Sequence, residues 1–274
     1  MKKYAIFTDA DGTLIATNGK IPSTTIEAIT LAKENHYIFL STGRCMAEIS
    51  DKILSLGFDG IIASGGCYVK ANNKILRNLC FSIAEIDELL AFFNANDIAC
   101  SLESANGLYV NNKYHQHIEK MAKDHNLFET QEFYDFSAIT NDVTPGMHYD
   151  NISKISFMAS EEQFAKLKAL YNTKYDIIDS SLPDFKTDII HGEICLKNIN
   201  KASAMDIILQ EFNIQDIKTF ALGDSENDLE MIRHADIGIA MGNANDKVKK
   251  AADYISDHVN NDGFYQAFKH FELI

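Results

Sequence analysis

The sequence predicts an α/β protein with a doubly wound, Rossmann-like parallel sheet and an inserted α+β cap domain. Three observations lead to this prediction. Short apolar runs alternate with helical patterns near both chain ends, and the middle of the chain has a different pattern of apolar residues. Polar clusters follow several of the apolar runs. The chain has 274 residues, 46% of them hydrophobic, which is enough for one or two domains with a core.

The first part of the chain follows a strand and helix alternation. Its pattern predicts a strand at 4–8, a helix at 22–36, a strand at 37–42, a helix at 45–57 and a strand at 60–66. Pro22 suits the first turn of the first helix, and Thr24 with Glu27 fits a capping box. Short loops between such elements favour parallel strands with helices on both faces of the sheet.

The middle of the chain has a different pattern, with pieces that suit antiparallel pairing. It predicts a helix at 83–97, two strands around the turn Asn106-Gly107, a helix at 114–126, a strand at 152–160, a helix at 161–173 and strands at 175–181 and 187–197. The α/β alternation then resumes. We therefore expect a core domain formed by 1–82 and 191–274, with an inserted cap domain at 83–190.

Composition excludes several classes of partner. The formal net charge of −14 argues against nucleic acid and against an anionic membrane surface, because both require a basic footprint. No apolar run approaches the ~18 residues of a membrane span, and acids interrupt the N-terminal run too early for a signal peptide. The five cysteines are scattered without a C-x-x-C motif, which favours a reducing cytoplasm. No pattern indicates an oligomeric state.

Polar clusters stand directly after predicted strands, where open α/β sheets bind their ligands. They are "DADGT" at 9–13, "STGR" at 41–44 and "GDSEND" at 223–228, joined by Lys201 at the start of a helix. Several acids at one sheet edge repel each other unless a hard cation lies among them, and Mg²⁺ prefers a few carboxylates with waters and a phosphate oxygen. The sequence therefore predicts a Mg²⁺ site beside a phosphate group, whose other oxygens Thr42, Gly43 and Lys201 could hold.

These motifs, in this order, resemble those of the haloacid-dehalogenase-like (HAD) hydrolases, and within them the Cof-type sugar-phosphate phosphatases. The match covers nearly the whole chain, and the insertion lies where that superfamily carries its larger α/β cap. The resemblance implies Mg²⁺-dependent hydrolysis of small phosphate monoesters, with the cap closing over the site.

The resemblance also implies roles for individual residues. Asp9 would be the nucleophile that forms an aspartyl-phosphate, and Asp11 the general acid and base. The metal ligands would be Asp9, Asp11 through its backbone carbonyl, Asp224 and, directly or through water, Asp228. The residues around the phosphoryl group would be Ala10, Thr42, Gly43, Lys201 and Asn227.

Some alternatives stay open at this point. Arg44 either contacts the substrate or phosphate, or is a surface residue paired with Glu48. Asp228 and Asn227 either belong to the site, or cap the following helix, or do both. At the level of function, the same aspartyl-phosphate would also serve a phosphotransferase or phosphomutase. A non-enzymatic phosphate-ligand-binding protein is the third reading, although it predicts a damaged motif and none is found.

Overall fold

The computed structural model describes residues 3–124, 131–144, 146–180 and 189–274, with the backbone alone for 131–134. The chain forms two compact units. The first comprises Met1–Arg44, Ile49–Arg77 and Ile199–Ile274, and the second comprises Cys45–Glu48 and Asn78–Asn198. The sequence-based boundaries, after residue 82 and after residue 190, stay a prediction. In the structure the chain enters the second unit at Asn78 and leaves it after Asn198.

The helices and strands follow the chain in this order. The elements up to residue 110 are β1 Ala5–Thr8, α1 Ser23–Ala32, β2 Tyr37–Ser41, α2 Asp51–Leu54, β3 Gly60–Ala63, β4 Tyr68–Ala71, β5 Lys74–Asn78, α3 Ile83–Ala95, β6 Ala99–Ser104 and β7 Leu108–Val110. The next are α4 Asn112–Asp124, α5 Gln131–Ile139, β8 Thr140–Asp142, β9 Ile152–Ala159, α6 Glu161–Tyr171, β10 Tyr175–Asp179 and β11 Ile190–Leu196. The last are α7 Lys201–Glu211, β12 Thr219–Gly223, α8 Leu229–His234, β13 Ile237–Ala240, α9 Asp246–Ala251, β14 Tyr254–Ile255 and α10 Gly263–His270.

The first unit is built on a sheet of eight described strands, in the order β14-β13-β12-β1-β2-β3-β4-β5. The strands from β14 to β3 are parallel, and β4 runs antiparallel to β3. Alternate residues of a strand face opposite sides of the sheet. On one side Phe7 and Phe39 pack in a cluster with Met205 and Ile208 of α7. The predicted α/β fold with a parallel sheet is therefore confirmed.

The other side of this sheet is covered as well. Phe220 of β12 packs against the ring of Phe271, at the end of α10, with ring centroids 5.4 Å apart. Helix α1 contacts both α10 and β2. Because both faces are covered, the strands are buried along their length and end at edges where polar side chains can gather.

The second unit has a mixed sheet in the order β10-β11-β9-β6-β7-β8, antiparallel except for the β7–β8 pair. Its apolar face packs under α3 and α6, with Phe93, Phe157 and Leu167 fully buried. A polar cluster lies on the opposite face. There the buried Lys154 Nζ lies 3.1 Å from Glu103 Oε2 and 2.9 Å from Glu193 Oε1. Burial, the charge of Glu48 and that of Glu193 raise the pKa of Glu103 to about 8, although Lys154 opposes them.

Two local predictions are wrong. Helix α1 starts at Ser23 with Pro22 in the cap position, and no side chain caps it, so the capping box of Thr24 with Glu27 does not form. The single helix predicted at 45–57 is instead a 3₁₀ turn at Met46–Glu48 followed by the short α2. The helix is interrupted at Ser50, whose ψ of 154° is extended, so the chain leaves the 3₁₀ turn before α2 begins.

None of the helices in the described part of the chain is long and apolar enough to cross a membrane.

Candidate active site

The parallel strands of the first unit bring separate sequence motifs to one edge. Strand β1 lies between β2 and β12, and β12 pairs in turn with β13. Asp9 follows β1, Thr42 follows β2 and Asp224 follows β12. Because parallel strands all end on the same side, these side chains gather at the carboxyl edge of the sheet, as the sequence predicts.

Lys201 connects these motifs directly. Its side chain is 1% exposed, and its Nζ lies 2.7 Å from Asp9 Oδ1, 2.5 Å from Asp228 Oδ1 and 3.1 Å from Asn227 Oδ1. Burial opposes the charged form of Lys201, but the carboxylates of Asp228 and Asp9 outweigh it and raise the pKa of the ammonium. The lysine therefore stays charged and holds two motifs together.

The position of Lys201 follows from the start of α7. The side chain of Asn200 accepts a hydrogen bond from the backbone N–H of Ser203 at 2.9 Å, so Asn200 is the N-cap and the helix begins at Lys201. Local sequence thus fixes the helix start, and the helix start fixes where the ammonium is presented.

The carboxylates form a cluster that one lysine does not neutralise. Oxygen atoms of Asp9, Asp224 and Asp228 all lie within 4.8 Å of one another. Burial, followed by the charge of Asp228, raises the pKa of Asp9 well above its ordinary value, against the opposing effect of Lys201. The same two causes, in the same order, raise the pKa of Asp224 to about 7. Three acids facing one ammonium therefore require further positive charge.

The donor set fits a divalent cation. Within the described residues, Asp224 Oδ1 is buried and has no hydrogen-bond partner. An unpartnered buried carboxylate oxygen is costly unless a cation or proton satisfies it. Oxygen ligands from a few carboxylates are the set that Mg²⁺ takes. The residues present are therefore suited to Mg²⁺.

Asp224 is held in place from two sides. Asn243, in the loop that follows β13, donates hydrogen bonds from Nδ2 to Asp224 Oδ2 and to the carbonyl of Gly12, both at 2.9 Å. Gly12 has a φ of +76°, and a Cβ there would lie 2.1 Å from Asp224 Oδ2. A side chain at position 12 would therefore displace the carboxylate. Only glycine gives both this backbone conformation and this close approach.

Asp228 uses both of its carboxylate oxygens within the protein. Oδ1 contacts Lys201, while Oδ2 accepts hydrogen bonds from the backbone N–H groups of Asp224 and Ser225, both at 3.0 Å. Asp228 therefore orders the loop that carries Asp224, in addition to lying in the carboxylate cluster.

Asp11 lies apart from this buried cluster. Its side chain is 55% exposed and pairs with the guanidinium of Arg44, which donates from Nε to Oδ2 at 2.8 Å and from Nη2 to Oδ1 at 2.6 Å. The two acids of "DADG" thus have different surroundings: Asp9 is 4% exposed beside a lysine, and Asp11 is at the surface beside an arginine.

The predicted phosphoryl-binding residues lie near the same strand ends. Ala10 and Thr42 are buried directly after Asp9 and Ser41. A Cβ on Gly43 would lie 3.3 Å from Asn227 Nδ2, so the motif at 41–44 approaches the motif at 223–228. The structure therefore brings all four motifs to one edge of the first unit.

Sequence reasoning missed Asn243 and the partner of Arg44. A signal for Asn243 was present, because it directly follows the apolar run "IGIAMG" at 237–242, just as the other polar clusters follow apolar runs. No sequence signal pairs Arg44 with Asp11, since the contact depends on side-chain direction at two strand ends.

Comparisons with known proteins agree with this geometry. A profile of the haloacid dehalogenase-like hydrolases matches residues 6–268. The 5-amino-6-(5-phospho-D-ribitylamino)uracil phosphatase YcsE of Bacillus subtilis is 28% identical over 97% of this chain and 94% of its own. A phosphoglycolate phosphatase of Methanobrevibacter smithii is 26% identical over 98% of both chains.

A solved structure supports the same conclusion. The HAD subclass IIB sugar phosphatase BT4131 is 27% identical, with a TM-score of 0.78 over 99% of this chain and 100% of that one. The family match spans nearly the whole length, and the resemblance found in the motifs is confirmed. The chain therefore belongs to the haloacid dehalogenase-like hydrolases, and within that family it is a phosphatase.

Proposed function

We propose that this protein is a Mg²⁺-dependent phosphatase that hydrolyses small phosphate monoesters, sugar phosphates or related metabolites, through an aspartyl-phosphate on Asp9. The observation that carries the proposal is the position of Lys201. Its buried ammonium contacts Asp9 of the first motif together with Asn227 and Asp228 of the last. A carboxylate nucleophile, a fixed cation and a cluster of metal-binding acids are the parts that phosphoryl transfer needs.

Asp9 is the nucleophile in this mechanism. One of its carboxylate oxygens attacks phosphorus, the P–O bond to the leaving alcohol breaks, and an acyl phosphate forms. Lys201 at 2.7 Å favours the ionised form of Asp9, against burial and the charge of Asp228, and fixes the direction of the carboxylate. Water then attacks the same phosphorus, which releases inorganic phosphate and restores the carboxylate.

Asp11 moves the proton. It protonates the leaving oxygen in the first step and removes a proton from water in the second. Its exposed position suits a group that must exchange protons with alcohol and water, whereas buried Asp9 suits a group that must stay desolvated for attack.

The remaining residues hold the phosphoryl oxygens. We assign this role to the backbone N–H groups of Ala10 and Gly43, the hydroxyl of Thr42, the ammonium of Lys201 and the amide of Asn227. They combine backbone donors with a point charge, as phosphate sites commonly do.

Asp9, Asp224 and the backbone carbonyl of Asp11 would hold Mg²⁺, with Asp228 supporting them. The bound ion would supply neutralisation of charge between the nucleophile and the phosphoryl oxygens.

The names of the relatives support the proposed substrate class. Their names specify a phosphorylated ribitylaminouracil, phosphoglycolate and sugar phosphates, all of which are phosphate monoesters of small molecules. We infer the same class for this protein, acting on a free metabolite in the cytoplasm.

The test measures phosphate release from a panel of sugar phosphates, phosphoglycolate, nucleotides and flavin phosphates. Wild type, Asp9→Asn and the exposed control Asp216→Asn are each assayed with Mg²⁺ and with EDTA. We expect release that requires Mg²⁺, disappears in Asp9→Asn and persists in Asp216→Asn. No release from any substrate by folded wild type with Mg²⁺ would contradict the proposal. Loss of substrate without an equal amount of phosphate would favour the phosphotransferase or mutase alternative.

A further inference from the structure

The ion pair between Arg44 and Asp11 has a geometry that selects one orientation of the carboxylate. Two donors of the guanidinium meet the two oxygens of Asp11, at 2.8 and 2.6 Å. This paired arrangement fixes the plane of the carboxylate as well as its distance, which a single point charge does not do. The Asp11 carboxylate is therefore held in one orientation, although its side chain is largely exposed.

Arg44 itself projects from a fixed backbone. Its N–H donates to Thr42 Oγ1 at 3.1 Å, and its carbonyl accepts from the N–H of Ser64 at 2.7 Å. Thr42 in turn donates from its backbone to the carbonyl of Ile62 at 2.8 Å. The arginine thus extends from a hydrogen-bonded junction between the ends of β2 and β3, and its side chain starts from a defined point.

The two neighbouring acids each have their own cation. Lys201 contacts Asp9, and Arg44 contacts Asp11. The lysine contact is buried and shared with Asp228, whereas the arginine contact is one-third to one-half exposed and directed at a group that must gain and lose a proton. Because Arg44 contacts Asp11 and not Asp9, its role concerns the residue that transfers the proton and not the nucleophile.

We propose that Arg44 is a positioning residue that orients Asp11 for proton transfer, an inference that rests on the proposed phosphatase function. As the P–O bond to the leaving group breaks and the bond from Asp9 to phosphorus forms, the carboxylic acid of Asp11 gives its proton to the leaving oxygen. The product of that transfer is the Asp11 carboxylate, which is the form that the guanidinium binds with two hydrogen bonds. Arg44 thus stabilises Asp11 as it becomes charged and keeps it aligned to take a proton from water afterwards.

The proposal makes a prediction about leaving groups. An alkyl phosphate releases a poor leaving group and needs a general acid, whereas p-nitrophenyl phosphate releases a stable anion and needs little protonation. Damage to the proton-transfer residue should therefore lower kcat/KM for a sugar phosphate and leave the aryl substrate nearly unaffected. Damage to a phosphate-binding residue should affect both substrates alike, because both carry the same phosphoryl group.

The experiment compares both substrates with saturating Mg²⁺. The enzymes are wild type, Arg44→Lys, Arg44→Gln, Asp11→Asn, the double variant Arg44→Gln/Asp11→Asn, and Arg233→Gln as a control arginine exposed on α8. We expect Arg44→Gln to lower kcat/KM for the sugar phosphate about tenfold or more and for the aryl phosphate less than about threefold. Arg44→Lys should fall in between. The double variant should be no worse than Asp11→Asn alone, because both changes remove the same function. The melting temperature of each Arg44 variant should stay within about 3 °C of wild type, since the ion pair is partly exposed.

Two results would overturn the inference while leaving the phosphatase intact. One is an equal loss on both substrates with a raised KM, which would place Arg44 on the substrate phosphate. The other is a loss in the double variant equal to the product of the single losses, which would make Arg44 independent of Asp11. Failure of wild type to release phosphate from either substrate would instead overturn the proposed function, and the inference with it.

Discussion

Replacement of Gly12 by alanine tests how strictly the backbone places Asp224. Gly12 has a φ of +76°, and an added Cβ would lie 2.1 Å from Asp224 Oδ2. The backbone conformation alone costs an alanine about 1–2 kcal/mol. The steric contact adds about 1 kcal/mol, because the carboxylate must move away from Asn243 and lose a hydrogen bond of that strength. We therefore expect the metal-free variant to lose about 2–3 kcal/mol of stability.

Gly19 provides a matched control in the same part of the chain. Its φ is +75°, and no atom lies within 4 Å of a Cβ built there. Gly19→Ala should therefore carry the backbone cost alone, so the difference between the variants isolates the displacement of Asp224. That difference should be about 1 kcal/mol, or about 2–4 °C in melting temperature.

The assay is thermal unfolding in EDTA and in increasing Mg²⁺. A ligand present at 100 times its dissociation constant stabilises a protein by about 2.7 kcal/mol. Wild type and Gly19→Ala should both gain stability as Mg²⁺ rises, and Gly12→Ala should require a much higher Mg²⁺ concentration for the same gain. Equal melting temperatures for the two variants, together with equal Mg²⁺ response, would refute the claim that Gly12 exists to place Asp224.

Three further predictions concern other charged and polar positions. Lys201→Gln should lower the free energy of unfolding at pH 7 in EDTA by about 3–5 kcal/mol, because it leaves buried carboxylates without their ammonium. Urea denaturation measures this loss, and an unchanged unfolding midpoint would contradict the prediction. Asn243→Ala should raise the Mg²⁺ concentration for half-maximal activity, since Asp224 loses its hydrogen bond, and a titration identical to wild type would argue against that role. Glu103→Gln should stabilise the protein increasingly from about pH 5 to about pH 8. The pKa of Glu103 is raised to about 8 in the folded state, so wild type loses stability as pH rises through this window, and the glutamine does not. If the difference in melting temperature between wild type and Glu103→Gln stayed constant across that pH range, Lys154 would already neutralise Glu103.

Much of the fold was predictable because local patterns and topology agree. The apolar runs at β1, β2 and β12 are buried on both faces, so they appear in the sequence as continuous strands, and the helices between them require parallel pairing. Lys201 and Asp9 are 192 residues apart in sequence, yet the rule that ligands bind at strand ends was sufficient to bring them together.

The missed features depend on contacts that no local pattern encodes. Whether Thr24 caps a helix depends on where Pro22 lets the helix start, and the structure starts it two residues too early for that cap. The helix predicted at 45–57 is broken at Ser50, whose backbone is extended where a continuous helix requires a helical conformation. The pairing of Arg44 with Asp11 is likewise a matter of rotamers at two strand ends, which periodicity does not determine.

The position of β1 in the middle of its sheet affects how the chain is synthesised. Strand β1 leaves the ribosome long before one of its two neighbours, β12, which ends only at Gly223. Until that point the nascent chain carries an apolar strand with an open edge, which is the type of surface that pairs wrongly with other chains. Premature termination before β12 should therefore produce an aggregation-prone fragment and not a smaller folded domain. Synthesis through β12 is thus a condition for the core to fold, and not only for catalysis.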